Sequence, residues 1–192
     1  MRKAKVERKT TEVDITVKLN IDGEGKGKVK TGIKFLDHLL ITLAKHSLFN
    51  ITVKAKGELK HHVCEDVALT LGEALQKAIA EKKGIKRFGS AHVPMDDSLA
   101  RAAVDLGGRA YSNLDLKLSQ PQIEDLKTED IEHFFNSLAQ ASKSNLHLTV
   151  LYGTNDHHKI EAAVKALALA LREAVTLESR ARSEVPSAKG VL

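Results

Sequence analysis

Hydrophobic and polar residues first alternate at Val13, Ile15, Val17 and Leu19, the period-two pattern of a half-buried strand. Asp22-Gly23-Glu24-Gly25-Lys26-Gly27 follows, and its glycines predict a hairpin turn. A phosphate-cradling loop would need a G-K-S/T ending and a helix start, and this segment has neither. Residues 35–44 have helical spacing, and 51–55 form a short strand. A long helix spans 62–82, with Val67, Ala68, Leu71, Ala74, Leu75, Ala78 and Ile79 on one face. Gly84 ends it. Further on, strands are predicted at 99–104 and 109–118, joined through Gly107-Gly108. A loop at 121–128, a helix at 129–142, a strand at 146–151 and a helix at 158–177 complete the chain.

The last helix carries Ala163, Val164, Leu167, Ala170, Leu171, Ala174 and Val175 on its apolar face. Shifted back by about 96 residues, this set falls on that of the first long helix, the mark of an internal repeat. Leu36-Asp37-His38-Leu39-Leu40 likewise aligns with Ile131-Glu132-His133-Phe134-Phe135. The order strand, helix, strand, helix in each half predicts an α+β fold of duplicated half-domains, each a mostly antiparallel sheet with two helices on one face. Only three prolines occur and no Ser- or Gly-rich linker separates the halves. One unit over 1–192 is expected, built of repeats at roughly 8–93 and 94–182 with a surface tail at 183–192.

The 192 residues, 42% of them hydrophobic, suffice for a sizeable core. A single cysteine excludes an internal disulfide framework and points to the reducing cytoplasm. No apolar run approaches a membrane span of about 20 residues, and the basic start Met1-Arg2-Lys3-Ala4-Lys5 has no apolar stretch behind it, unlike a secretory signal. The net charge of +5 favours anionic partners, but 4% aromatics, no tryptophan and dispersed lysines argue against nucleic acid.

The chemistry lies in a motif that occurs twice. Gly57-Glu58-Leu59-Lys60-His61-His62-Val63-Cys64-Glu65 and Gly153-Thr154-Asn155-Asp156-His157-His158-Lys159-Ile160-Glu161 both read G-x-x-x-H-H-x-x-E and both run into a long helix. On a helix, residues three or four apart share a face, so His61 or His62 with Glu65 forms a metal-binding edge. Adjacent residues point about 100° apart, so His61 and His62 should serve different ions, as should His157 and His158. Two ions result, each completed from both repeats, with His38 and His133 supplying the remaining imidazoles. Six histidines and two glutamates give four protein ligands per ion and leave positions open in an octahedral site. Imidazole and carboxylate without thiolate suit Mn²⁺, Fe²⁺, Co²⁺ or Zn²⁺, and six-coordination favours manganese over structural zinc. Cys64 has no repeat counterpart and is expected to pack rather than bind. His46, opposite Ala141, either contacts substrate or caps its helix.

These motifs resemble the imidazoleglycerol-phosphate dehydratase family from about Arg8 onward. The resemblance is carried by Arg8-Lys9-Thr10-Thr11-Glu12, Leu19-Asn20-Ile21-Asp22-Gly23, Thr31-Gly32-Ile33-Lys34-Phe35-Leu36-Asp37-His38, His61-His62-Val63-Cys64-Glu65-Asp66, Pro94-Met95-Asp96-Asp97, Val104-Asp105-Leu106-Gly107-Gly108-Arg109 and Asn155-Asp156-His157-His158-Lys159-Ile160-Glu161-Ala162. The segment before His61 is shorter than the family's, Val63 replaces its threonine and Gly107 its usual serine. The resemblance implies a fold like domain 2 of ribosomal protein S5. It implies two Mn²⁺ ions, one on His38, His61, Glu65 and His158, the other on His62, His133, His157 and Glu161. Arg87, Arg109, Ser187 and Lys189 would hold the substrate phosphate, and Glu12 would contact substrate and move protons; apart from the resemblance, His46 is carried as a candidate substrate contact. The implied assembly is a homo-oligomer of 24 subunits with active sites between them.

The implied reaction removes water across C2–C3 of D-erythro-imidazoleglycerol phosphate, giving imidazole-acetol phosphate in histidine biosynthesis. The C2 proton has no carbonyl beside it; a metal-bound imidazolate would drive out the C3 hydroxyl and acidify that proton. The same ligand pattern also fits a dinuclear phosphoesterase, recognised by release of free phosphate, or a metal-stabilised assembly module without open coordination positions.

Overall fold

The alternating segment at Val13 becomes a strand because its odd positions are all buried and its even ones face outward. In the computed structural model, which describes residues 1–181 and 184–192, the first half runs β1 (Lys3–Lys9), β2 (Val13–Asn20), β3 (Gly27–Lys30), α1 (Lys34–Ser47), β4 (Asn50–Gly57) and α2 (Lys60–Ile79). The second runs β5 (Phe88–Met95), β6 (Ser98–Asp105), β7 (Tyr111–Asp115), the short β8 (Gln122–Ile123) and β9 (Leu126–Lys127), α3 (Thr128–Ser142), β10 (Asn145–Tyr152) and α4 (Asp156–Ala174). The two main sheets have the same plan, β1-β2-β4-β3 and β5-β6-β10-β7. In each, two antiparallel pairings are followed by one parallel pairing at the far edge. The expected α+β duplication, mostly antiparallel with two helices per half, is therefore the fold.

Two local expectations are corrected. The glycine-rich segment 22–27 is not a hairpin: β2 pairs with β4, and β3 lies parallel to β4 on its other side. The reason is the helix that follows β3, since a strand–helix–strand crossover returns its second strand parallel to the first. The turn itself is held by Asn50, whose Oδ1 accepts from Glu24 N at 2.9 Å and Lys26 N at 3.0 Å. In the second half Gly107-Gly108 joins β6 to β7 as expected, and β10 inserts between those two strands in the sheet. The first long helix ends at Ile79 rather than Gly84, with Ala80 at φ 54°.

Two edge strands, β1 and β5, were not foreseen. The repeat boundary placed at 93/94 falls within β5, which pairs with β6 from Phe88 onward. The boundary placed at 182/183 lies outside the described residues. The strand at 109–118 is confined to Tyr111–Asp115, and the loop at 121–128 contains the small β8–β9 pair.

The four helices lie between the sheets, and the halves meet through them: α2 packs on α3 and α1 on α4. The apolar faces foreseen for both long helices are buried. Gly72 sets the α2–α3 approach, since a Cβ there would stand 2.8 Å from Leu138 O and from the Ala141 Cβ. Gly72→Ala is expected to lower stability by about 1–3 kcal/mol through overpacking, although alanine is the better helix former by about 1 kcal/mol. Denaturant unfolding checks this; an unchanged or raised midpoint would contradict the close packing.

Candidate metal centre

Both motif glycines stand where a strand end passes close to the turn of a neighbouring hairpin. A Cβ on Gly57 would lie 3.0 Å from Glu12 O and 2.7 Å from Val63 Cγ2; one on Gly153 would lie 2.2 Å from Ser98 Oγ. This packing sets the starts of α2 and α4 beside the β1–β2 and β5–β6 turns. The α4 start is further fixed by Asn155, whose side chain accepts from His157 N and His158 N as the N-cap. Beneath it, Asp156 and Lys159 form a buried ion pair at 2.7 Å. The other Asp156 oxygen accepts from Ser119 N and Gln120 N, both at 2.7 Å.

The helices bring six of the expected ligands into two clusters. His38, His157 and Glu161 form one, and His61, Glu65 and His133 the other, with their ligand atoms within 4.8 Å of one another in each. In the first, Glu161 Oε2 lies 3.3 Å from His38 Nε2 and 3.4 Å from His157 Nε2. In the second, the His61 and His133 rings stack at 5.2 Å. The clusters are repeat counterparts, and each combines one histidine from α1 or α3 with an H-x-x-x-E edge from the opposite half. Sharing across the repeats, argued from the sequence, is thus the geometry of the chain. The four-residue sets implied by the resemblance are not gathered as such, because each cluster draws on both.

His62 and His158 lie outside the clusters, as the angular offset of adjacent residues requires. His62 Nδ1 sits 3.2 Å from the carboxylate of Glu12 in the β1–β2 turn. Its counterpart His158 places Nδ1 2.6 Å from Asp97 in the β5–β6 turn. Asp97 is the repeat equivalent of Glu12 in position. Its second oxygen accepts from Thr154 N and Asn155 N at 2.6 and 3.0 Å. These backbone N–H groups, with Thr154 Oγ1 and His158, hold its carboxyl well below the ordinary range.

Two further charged residues, Asp130 and Lys165, tune the clusters. His61 Nδ1 is 2.6 Å from the buried Asp130 carboxylate, which raises the His61 pKa against the opposing effect of burial. Burial alone would raise the Glu161 carboxyl, but Lys165 and His38 override it and hold the acid below its usual value. His46 is half-buried at the end of α1, and burial together with the nearby Lys165 ammonium lowers its pKa. Cys64 is buried, its thiol pushed well up by desolvation, and it packs without reaching a cluster.

The donors fit a divalent metal of intermediate softness: imidazoles and carboxylates that converge without thiolate. His133, a member of one cluster, has a buried Nδ1 with no hydrogen-bond partner among the described residues.

The expected phosphate residues lie away from the clusters. Arg87 makes a bidentate pair with Asp105, at 2.6 and 3.0 Å, and donates from Nη1 to Pro186 O at 2.9 Å. The tail carrying Ser187 and Lys189 is thereby drawn to Arg87. Gly108, just before Arg109, packs against Leu192. Arg109 and Lys189 are exposed and Ser187 is half-buried.

Sequence reasoning passed over Asp97, Asp130 and Lys165. Asp97 stood inside a quoted motif without a role. Asp130 precedes the aligned pentapeptides by one residue, and extending that alignment by one position would have set it against Phe35.

The family model for imidazoleglycerol-phosphate dehydratase matches residues 31–171. The chain is 49% identical to the imidazoleglycerol-phosphate dehydratase of Chloroherpeton thalassium, covering all of this chain and 98% of that one. It is 50% identical to that of Methanothermobacter thermautotrophicus, again over all of this chain and 98% of the other. Among solved structures, the Pyrococcus furiosus enzyme in complex with (S)-C348 superposes with TM-score 0.85 at 37% identity, covering 97% of this chain and 100% of that one. The Staphylococcus aureus dehydratase superposes with TM-score 0.84 at 32% identity, over 92% and 99%. A duplicated α+β chain with this likeness is an enzyme of the carbon–oxygen lyases, a hydro-lyase. The match spans most of its length, and the chain belongs to the imidazoleglycerol-phosphate dehydratase family.

Proposed function

We propose that this chain carries out its family's reaction, the dehydration of imidazoleglycerol phosphate in histidine biosynthesis, with two Mn²⁺ ions held by His38, His61, His62, Glu65, His133, His157, His158 and Glu161. The observation that carries the metal reading is the pair of repeat-related histidine–carboxylate clusters. Bound Mn²⁺ would act as a Lewis acid toward the substrate imidazole and as a template for it.

The chain's own residues do the rest. Arg87, Arg109 and Lys189, with Ser187, suit the substrate's phosphate dianion through charge-assisted hydrogen bonds. Arg87 is already oriented by Asp105. Glu12 is the proton carrier between C2 and the departing C3 hydroxyl. Its carboxylate is exposed and stands beside His62, where a substrate could reach it. His46, close to Lys165 and Glu161, is a further substrate contact in this reading.

The working form is a homo-oligomer in the cytoplasm, a shell of 24 subunits with active sites between them. Support comes from His62 and His158, which remain partly exposed and outside the clusters of their own chain, available to complete a site with a neighbour's ligands. Among the described residues, no helix is long and apolar enough to cross a membrane.

Metal removal tests this function. Chelation is expected to abolish conversion of imidazoleglycerol phosphate, and added Mn²⁺ to restore it, followed by the enol absorbance of the product in alkali. Full activity in thoroughly metal-depleted protein would overturn the metal reading. Release of free phosphate instead of the dehydrated product would overturn the choice of reaction.

A further inference from the structure

We infer that the two metal sites are unequal: the ion served by His61 and Glu65 is held more tightly than the ion served by His157 and Glu161, because Asp130 and Lys165 place opposite charges beside otherwise matching edges. The inference rests on the metal reading above. It does not depend on how the remaining ligands are shared. Both the clusters of the chain and the sets implied by the resemblance give His61 and Glu65 to one ion, and His157 and Glu161 to the other.

The edges correspond residue for residue, His61 to His157, Glu65 to Glu161 and His133 to His38. What stands behind them does not correspond. Three residues before His133, on the first turn of α3, is Asp130; three residues before His38, on the first turn of α1, is Phe35. The buried Asp130 carboxylate lies 2.6 Å from His61 Nδ1, so it accepts that nitrogen's proton-bearing side and leaves Nε2 for an ion. A carboxylate behind a ligating imidazole fixes its tautomer and ring orientation and strengthens it as a donor. His157 has the Phe35 ring at 5.0 Å instead. The nearest acid to its Nδ1 is Glu124 at 3.3 Å, on an exposed side chain where water screens the charge.

The carboxylate ligands differ in the same sense. Four residues after Glu161, on the same helix face, Lys165 Nζ lies 2.8 Å from Glu161 Oε1. This ammonium occupies one ligand oxygen and repels an arriving dication. The corresponding position after Glu65 is Leu69, which has no charge. One edge thus gains a buried negative charge and the other a largely buried positive one.

The test is Mn²⁺ titration of the metal-depleted full-length protein, with free aqueous Mn²⁺ read by electron paramagnetic resonance. Wild type is expected to bind two equivalents per chain in two classes, with dissociation constants separated by roughly 10–100-fold, the usual effect of an outer-shell partner. His61→Ala should remove the tight class and His157→Ala the weak one. Asp130→Asn should weaken the tight class alone. Asp130 is buried, so Lys165→Leu supplies an independent arm: it installs the residue already present at the repeat counterpart and should tighten the weak class alone. Two equal sites in wild type would overturn the inference while leaving the metal reading intact, as would loss of the tight class in His157→Ala. If no Mn²⁺ bound at all, the metal reading itself would fail and this inference with it.

Discussion

Glu12→Gln is expected to lower turnover by about 10²–10⁴-fold, the usual contribution of a positioned acid–base group, with the two Mn²⁺ equivalents retained and substrate affinity little changed. The amide keeps the size and hydrogen-bonding reach of the side chain beside His62 but cannot carry the proton. Arg109→Ala and Lys189→Ala should behave differently. They remove charge-assisted contacts to a phosphate that does not react, so the Michaelis constant should rise first, and turnover fall only as far as positioning fails. Steady-state kinetics with metal analysis separates these roles. If Glu12→Gln raised the Michaelis constant alone at unchanged turnover, Glu12 would be a binding residue.

The second large effect concerns the support beneath the His157-His158 edge. Asp156→Ala should cost about 3–5 kcal/mol, the range for breaking one partner out of a buried ion pair. Lys159 would remain buried with its charge uncompensated, keeping only the bond from Nζ to Lys117 O. The backbone N–H groups of Ser119 and Gln120 would lose their acceptor as well. The pH dependence has a defined sign. Burial would raise the Asp156 carboxyl, but Lys159 and these N–H groups outweigh it and hold it below the ordinary value. Its stabilisation is therefore complete above the unfolded carboxylate pKa of about 3.9 and lost as pH falls through the lower folded value. Denaturant unfolding at neutral and acid pH measures both. A loss under about 1 kcal/mol for Asp156→Ala would show that Lys159 finds another partner.

The parts of the fold that were legible in the sequence are those with a strong period or a duplicate. The helices α2 and α4 announced themselves through matching apolar faces, and the His edges through their shared offset from Gly57 and Gly153. The edge strands β1 and β5 were not legible. Their inward positions are weak: β1 buries only Val6 fully, and β5 turns Gly89, Ala91, Val93 and Met95 inward with just the glycine fully buried, so the alternation lacks the large apolar residues that mark a packed strand. Strand order was also hidden. Nothing local around Gly23 and Gly25 reveals that β4, some 25 residues later in the chain, inserts beside β2. The six histidine and glutamate residues that gather into the two clusters were legible as candidates because residue type limits metal binding to few choices. Asp130 was not, because its function depends on which ring α3 brings within 2.6 Å, and that is decided by packing between the halves.

That packing also bears on how such a chain can arise. Each cluster joins α1 or α3 of one half to the histidine–glutamate edge of the other, so a half on its own has no finished cluster. Two identical halves associating about a twofold axis would form both clusters, but necessarily as exact copies, since any change in one would appear in the other. Asp130 and Phe35 occupy equivalent positions and differ, as do Lys165 and Leu69. A chain in which the two copies are covalently joined lets them diverge separately and so can hold such a difference. The tether between the halves is in this sense what permits a pair of ancestral equals to become two distinct offices within one molecule.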